Sequence, residues 1–171
     1  MPPRGILTKR LRLRPFSGQD LAALPALLGD AEVMAFSDHG PLTREAQAAW
    51  LDRAMLADTA PLGTFAAERR SDGRVVGYVS LQRSPTRVDP GETEIGFRFV
   101  RDTWGTGIAR EAVSGLLSAL DGEPLGKIIA IVDPHNLRSV RFLKALGLSK
   151  EREIMLPGYA YPDHVFALTP A

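Results

Sequence analysis

Arg101-Asp102-Thr103-Trp104-Gly105-Thr106-Gly107-Ile108-Ala109-Arg110-Glu111-Ala112 is the stretch on which the fold turns. From Ile108 onward, Ile108, Ala109, Ala112, Val113, Leu116, Leu117 and Leu120 fall on one face at helical spacing, and Gly122 and Pro124 end the helix. Upstream, Thr93 to Val100 alternates, with Ile95, Phe97 and Phe99 pointing one way and Glu94, Gly96 and Arg98 the other. Downstream, Lys127 to Val132 is a continuous apolar run, as expected of a strand buried on both faces. Strand, glycine loop, helix and strand in that order predict a right-handed βαβ crossover with a parallel strand pair.

The flanking sequence extends this unit. Lys9 to Phe16 alternates Leu11 and Leu13 with Arg10, Arg12 and Arg14, predicting a half-buried strand whose arginines form a solvated face. Ser17 caps a helix carrying Leu21, Leu24, Leu27 and Leu28 that ends near Gly29. Thr43 and Glu45 open a second helix to about Asp58, with Ala46, Ala49, Trp50 and Leu51 on its apolar side. Thr64 to Arg69 and Arg74 to Gln82 read as strands joined by the turn Ser71-Asp72-Gly73. After the loop Ser84 to Gly91 comes the Thr93 strand, so these three form an antiparallel meander. Asn136 caps a last helix through about Leu146, ended by Gly147, and strands at about Leu148 to Met155 and His164 to Leu168 finish the chain. The expectation is one mixed α/β domain over residues 1–171.

Composition narrows the chemistry. The 171 residues are 44% hydrophobic and 24% charged, enough to bury a sizeable core. Lys and Arg total 21 against 20 Asp and Glu, a net charge of +1, which argues against nucleic acid as partner. With no Cys there is no disulfide, thiol nucleophile or thiolate metal site, and three separated His (His39, His135, His164) argue against zinc. The opening Met1 to Arg10 lacks an apolar run of signal-peptide length, and no window approaches the roughly 20 apolar residues of a membrane span. A cytoplasmic protein without a membrane partner is expected.

The loop itself suggests an anion. The first amides of a helix have no intrahelical acceptor and sit at the positive end of its dipole. Glycines at 105 and 107 let an anion such as a pyrophosphate approach the backbone. A Walker loop would continue Gly-Lys-Ser/Thr, but here Gly107 is followed by Ile108-Ala109. A dinucleotide fingerprint would place a small residue where Arg110 stands.

Trp104-Gly105-Thr106-Gly107-Ile108-Ala109-Arg110-Glu111-Ala112 resembles the acetyl-coenzyme A loop and helix of the GNAT superfamily of N-acetyltransferases, especially the branch that acetylates N-terminal alanines of ribosomal proteins. Asn136-Leu137-Arg138-Ser139-Val140-Arg141-Phe142-Leu143-Lys144-Ala145-Leu146-Gly147-Leu148 is similar to that branch's N-x-x-S helix, and Leu7 to Arg14 to its first strand. The resemblance implies a mostly antiparallel central sheet, one parallel strand pair splayed at the cofactor site, and about four flanking helices.

It also implies roles. Phe99, Val100, Arg101, Trp104, Gly105, Thr106, Gly107, Ile108 and Ala109 would line the coenzyme A pyrophosphate site, chiefly through backbone amides. Asp102 departs from the Gln or Arg often found three residues before the first glycine, and must point away from the phosphates. Asn136 would contact the pantetheine arm as well as cap its helix. Glu94 would accept the ammonium proton, directly or through water; a salt-bridged strand Glu is the alternative. The tyrosine many members use as acid is Leu143 here, which leaves Ser139, a water it holds, or Tyr159 or Tyr161 to protonate the thiolate. Ser139 could instead bond only the helix backbone. Phe36, Ser37, Asp38, His39 and Pro157 to Asp163 would face the acceptor, where Tyr159 and Tyr161 could hold an amine by cation–π contact or else cover a core edge.

The expected activity is acetyl transfer from acetyl-coenzyme A to a primary amine, such as a protein N-terminus, by direct attack and without a metal. The expected assembly is a monomer or homodimer. The alternatives are another acyl donor, or a non-catalytic acyl-coenzyme A sensor or ribosome-associated module.

Overall fold

A computed structural model describes residues 5–56, 62–83 and 87–168. The chain divides into two compact units, Met1–Ser80 with Phe97–Glu123, and Leu81–Gly96 with Pro124–Ala171. Two strands contribute residues to both: β4 (Val75–Gln82) and β5 (Glu92–Phe99).

In the first unit, β1 (Ile6–Leu7), β2 (Leu11–Pro15), β3 (Gly63–Arg69) and β4 lie side by side in that order. The β1–β2 and β2–β3 pairs are antiparallel, with Leu13 opposite Ile6 and Ala67. The alternation in β2 works as read, since Leu11 and Leu13 are fully buried. Its arginines, however, are not simply a solvated face. Arg14 forks onto Asp20 at 2.9 Å through each terminal nitrogen and donates Nε to Glu68 at 2.7 Å. The two-residue β1 leaves no mark in the sequence, because two residues carry no periodicity.

Residues Gly18–Ala26 form a 3-10 helix, and the Asp20 carboxylate accepts the Ser17 N–H at 2.8 Å. Pro25 lies inside this helix, where in an α-helix its ring would clash with the carbonyl four residues back. Leu24, Leu27 and Leu28 are buried, but Leu21, expected on the same face, is 43% exposed. Helix α1 spans Arg44–Leu56, and the Thr43 hydroxyl accepts the Ala46 N–H. Its inner face holds Leu51 and Gln47 rather than Ala49, which is exposed; Gln47 is satisfied by donating Nε2 to the Leu42 carbonyl at 2.8 Å. The expected end near Asp58, residues 1–4, and 84–86 of the loop lie outside the described residues. Helix α2 (Ile108–Ala119) buries Ile108, Ala112, Val113 and Leu116, the face read from the sequence.

In the second unit the order is β5, β6 (Lys127–Val132), β8 (Asp163–Leu168), β7 (Leu148–Ile154). The β6–β8 and β7–β8 pairs are antiparallel. The β5–β6 pair is parallel and registers Glu92 with Lys127, Thr93 with Ile128 and Glu94 with Ile129. No further rung joins Ile95 or Gly96 to β6, so the strands part after Glu94. Ile129, Val165 and Ala167 form a core cluster against which Val88, Ile131 and Ile154 pack. Each fully buried aliphatic side chain there stabilises by about 1.5–3 kcal/mol. Helix α3 (Leu137–Ala145) packs on β6 and β7 and buries Leu143. Together these elements are the expected mixed α+β fold, with mostly antiparallel pairing and one parallel pair.

Candidate active site

The glycine loop in the first unit is shaped from both ends. Thr103 donates its hydroxyl to the Val100 carbonyl at 2.8 Å, and the Trp104 indole N–H bonds the Phe99 carbonyl at 2.9 Å, which closes the short 3-10 turn Arg101–Thr103. Gly105 and Gly107 then adopt φ of +76° and +80°, a left-handed conformation costing about 1–2 kcal/mol for other residues. Gly107 is the N-cap of α2 and has no side chain to satisfy the amides it precedes. Nothing lies within 4 Å of where a Cβ on Gly105 would stand. The Trp104 and Thr106 amides bond Arg101 and Thr103, whereas those of Ile108, Ala109 and Arg110 open the helix without an intrahelical acceptor. These groups suit an anion.

Two acidic residues could spoil that site, and both are neutralised. The Asp102 carboxylate takes the Arg74 guanidinium at 2.6 Å, so the departure noted in the sequence is compensated. Glu111, in the first turn of α2, accepts the Arg10 N–H and Nε, each at 2.6 Å, and the Thr8 hydroxyl. Burial pushes the Glu111 carboxyl upward, but these three donors outweigh it and hold it below its ordinary value. Arg101 turns its side chain to Asp30 and Glu32, at 3.1 Å each, and offers the loop only backbone. Phe36 is 46% exposed, and His39 Nδ1 lies 3.0 Å from the carbonyl oxygen of its neighbour Gly40. Both sit in the turns after the first helix, with Ser37 bonding the Met34 carbonyl.

In the second unit, Glu94 is buried where β5 and β6 part. Both carboxylate oxygens are held by Arg87, Nη2 to Oε1 at 2.9 Å and Nε to Oε2 at 3.0 Å. The structure thus shows Glu94 as a salt-bridged strand residue, and Arg87 is a partner the sequence did not announce. Asn136 caps α3 as expected, its Oδ1 accepting the Ser139 N–H at 3.3 Å. The cap leaves the Asn136 side-chain NH2 uncommitted to that bond. Ser139 is half-buried. Tyr161 donates its hydroxyl to Asp133 Oδ2 at 2.7 Å, and that bond raises its pKa. Asp133 also takes the His135 N–H at 2.8 Å, and the His135 ring stands edge-on to Tyr161 at 4.8 Å. Burial pushes the Asp133 carboxyl up, yet the bonds from Tyr161 and His135 prevail and lower it. Tyr159 is half-buried on the loop before β8. Among the described residues no group of three or more His, Cys, Asp or Glu could hold a metal ion, and no helix is long and apolar enough to cross a membrane.

Comparison with known proteins adds independent findings. A family model described as an acetyltransferase (GNAT) domain matches residues 10–149. The chain is 29% identical over 150 residues to the uncharacterized N-acetyltransferase p20 of Bacillus licheniformis, covering 85% of this chain and 83% of that one. It is 28% identical over 147 residues to the uncharacterized N-acetyltransferase YnaD of Bacillus subtilis, again with 85% and 83% covered. Among solved structures, a GNAT-family acetyltransferase from Bacillus anthracis superposes with a TM-score of 0.82 at 24% identity, over 96% of this chain and 97% of the other. An acetyltransferase from Agrobacterium tumefaciens gives 0.81 at 19% identity, over 99% and 96%. At these identities the two structures speak for the fold.

Proposed function

The chain belongs to the GNAT acetyltransferase family, and on that premise we propose that it transfers acetyl from acetyl-coenzyme A to a primary amine by direct attack, as one N-acetyltransferase domain. Membership makes it an acyltransferase that uses an acyl-coenzyme A and an amine acceptor. The acetyl donor, the acceptor class and the residue roles are our reading.

The observation that carries it is the loop at Gly105 and Gly107: two left-handed glycines, open space, and helix amides without partners beside acids already neutralised. Amides of Ile108 and Ala109 bond the pyrophosphate in this reading, with Phe99 to Thr106 shaping the approach. Asn136 serves twice, Oδ1 capping α3 and the side-chain NH2 donating to an amide carbonyl of the pantetheine arm.

In the reaction the amine nitrogen bonds to the thioester carbon, the carbon–sulfur bond breaks, one proton leaves the nitrogen and one reaches the thiolate. Glu94 is the proton acceptor we assign, and Arg87 must yield one carboxylate oxygen for it to act. Main-chain donors of β5 beyond Glu94, where the β6 ladder has ended, are suited to the oxyanion. Ser139 holds a water that returns the proton to sulfur. Phe36, His39, Tyr159 and Tyr161 border the acceptor, and a protein N-terminal α-amine is the acceptor we favour.

The test is mass analysis of a panel of peptides and small amines incubated with several acyl-coenzyme A donors, followed by the rate with Glu94→Gln. Acetylated peptide α-amines support the reading, as does a fall of threefold or more in the variant. A smaller fall removes Glu94 as the acceptor. An amine panel left untouched while acetyl-coenzyme A still raises the melting temperature overturns the proposed turnover.

A further inference from the structure

Resting on that reading of the glycine loop, we infer that Arg10 is a positioning residue for the pyrophosphate. Lodged against the Thr106–Gly107 peptide, it fixes which way that peptide faces. In the sequence Arg10 is one of several arginines alternating along the first strand, with nothing to set it apart. In the fold it reaches Thr106 and Glu111, 96 and 101 positions away.

Its guanidinium makes two directed bonds to different parts of the loop and helix. Nε is 2.6 Å from Glu111 Oε2, in the first turn of α2, and Nη1 donates to the Thr106 carbonyl at 3.0 Å. A Cβ built on Gly107 would stand 3.5 Å from Nη2, so the planar group lies along this one peptide. The Arg10 N–H and the Thr8 hydroxyl hold the other Glu111 oxygen, which fixes the carboxylate that fixes the guanidinium.

The consequence follows from peptide geometry. In a trans peptide the carbonyl and the following N–H point in opposite directions. Holding the Thr106 carbonyl toward Arg10 therefore turns the Gly107 N–H to the opposite side. Gly107, at φ +80° and without a side chain, is free to rotate about this linkage unless something holds it. The Thr106 carbonyl is also the acceptor that the Arg110 N–H would take if α2 were wound one residue further back. Arg10 occupies it instead, and the first intrahelical bond is Glu111 N–H to Gly107 carbonyl at 3.0 Å. The helix thus begins where the loop needs it to, with the Arg110 amide left over for an anion.

Arg10 therefore contributes selectively to the part of the donor that carries phosphate. Calorimetric binding of acetyl-coenzyme A is compared with that of acetyl-pantetheine, which lacks the pyrophosphate, for the unaltered protein, Arg10→Ala and Arg10→Lys. Melting temperatures without ligand are measured alongside. Release of the Thr106–Gly107 peptide, worth about one charge-assisted bond to the phosphate, predicts about tenfold weaker acetyl-coenzyme A binding in Arg10→Ala, with acetyl-pantetheine changed by less than about twofold. Arg10→Lys keeps the charge but has one nitrogen for two acceptors, so it retains the fold and still loses several-fold on acetyl-coenzyme A. If Arg10→Ala does not fold, the Lys variant carries the test. An equal loss on both ligands, or no loss on either, overturns the inference. Should the unaltered protein bind the two ligands equally well, the pyrophosphate reading itself fails, and the inference with it.

Discussion

Replacing Glu92 with Gln should remove a defined slice of acid sensitivity. Glu92 opens β5, and its side chain is 4% exposed. It accepts Arg152 through both oxygens, at 2.9 and 2.8 Å, Lys127 Nζ at 3.1 Å, and the Asp89 N–H at 3.0 Å. The Arg152 bonds, foremost, hold its pKa at about 2 against an ordinary 4.5, although burial works the other way. A carboxyl depressed in the folded state stabilises fully above its unfolded value and loses that contribution as pH falls through the folded one. The window here is therefore about pH 4.5 down to about 2. At about 1.4 kcal/mol per pH unit, the gap amounts to about 3 kcal/mol. Urea unfolding followed by far-ultraviolet circular dichroism at pH 6, 4, 3 and 2.5 provides the assay. Far-ultraviolet signal is preferred because Trp50 and Trp104 both lie in the other unit. The native protein's advantage over Glu92→Gln should shrink by about 2–3 kcal/mol between pH 6 and pH 2.5. Parallel pH profiles, within about 0.5 kcal/mol, would refute the reasoning that Arg152 and Lys127 hold this carboxylate ionised.

Two further changes test other parts of the molecule. Gly126 has φ +68°, and a Cβ there would clash with the Gly91 carbonyl oxygen, which itself accepts the Lys127 N–H at 2.9 Å. Backbone strain and a main-chain clash should together cost Gly126→Ala about 3 kcal/mol or more, read as a lowered thermal midpoint; a midpoint within a degree of native would contradict the geometry. Asn136→Asp keeps the capping oxygen and removes the NH2, whereas Asn136→Ala removes both. The Ala variant should lose about 1 kcal/mol of stability and the Asp variant little, while both bind acetyl-coenzyme A more weakly. Full affinity in the Asp variant would confine Asn136 to its capping role.

Local signals were legible in the sequence wherever periodicity or a special residue carried them. The face of α2, the buried β6, the alternation in β2 and the Asn136 cap all depend on neighbours within a few positions. The same locality explains the misses. Leu21 shares the face of Leu24 and Leu28 only at a 3.6 period, which the 3-10 winding around Pro25 does not follow. Gln47 breaks the apolar stripe of its helix, yet a single bond to the Leu42 carbonyl makes its burial tolerable. Of the candidate site residues, the glycines could be found from composition and position. Arg87 on Glu94 and Asp133 beneath Tyr161 could not, since an ion pair leaves no mark on the spacing of either partner.

The sequence by itself determined that this chain carries a strand, a glycine loop and an amphipathic helix in order, because hydrophobic period and chain reversal are properties of consecutive residues. Only the tertiary structure decided which charges meet. Arg10 and Glu111 are 101 positions apart, and Glu92 and Arg152 are 60 apart. With 21 basic and 20 acidic residues almost any pairing could be written down. Folding selects among them, because a carboxylate taken out of water must find its donors where the backbone has already placed them.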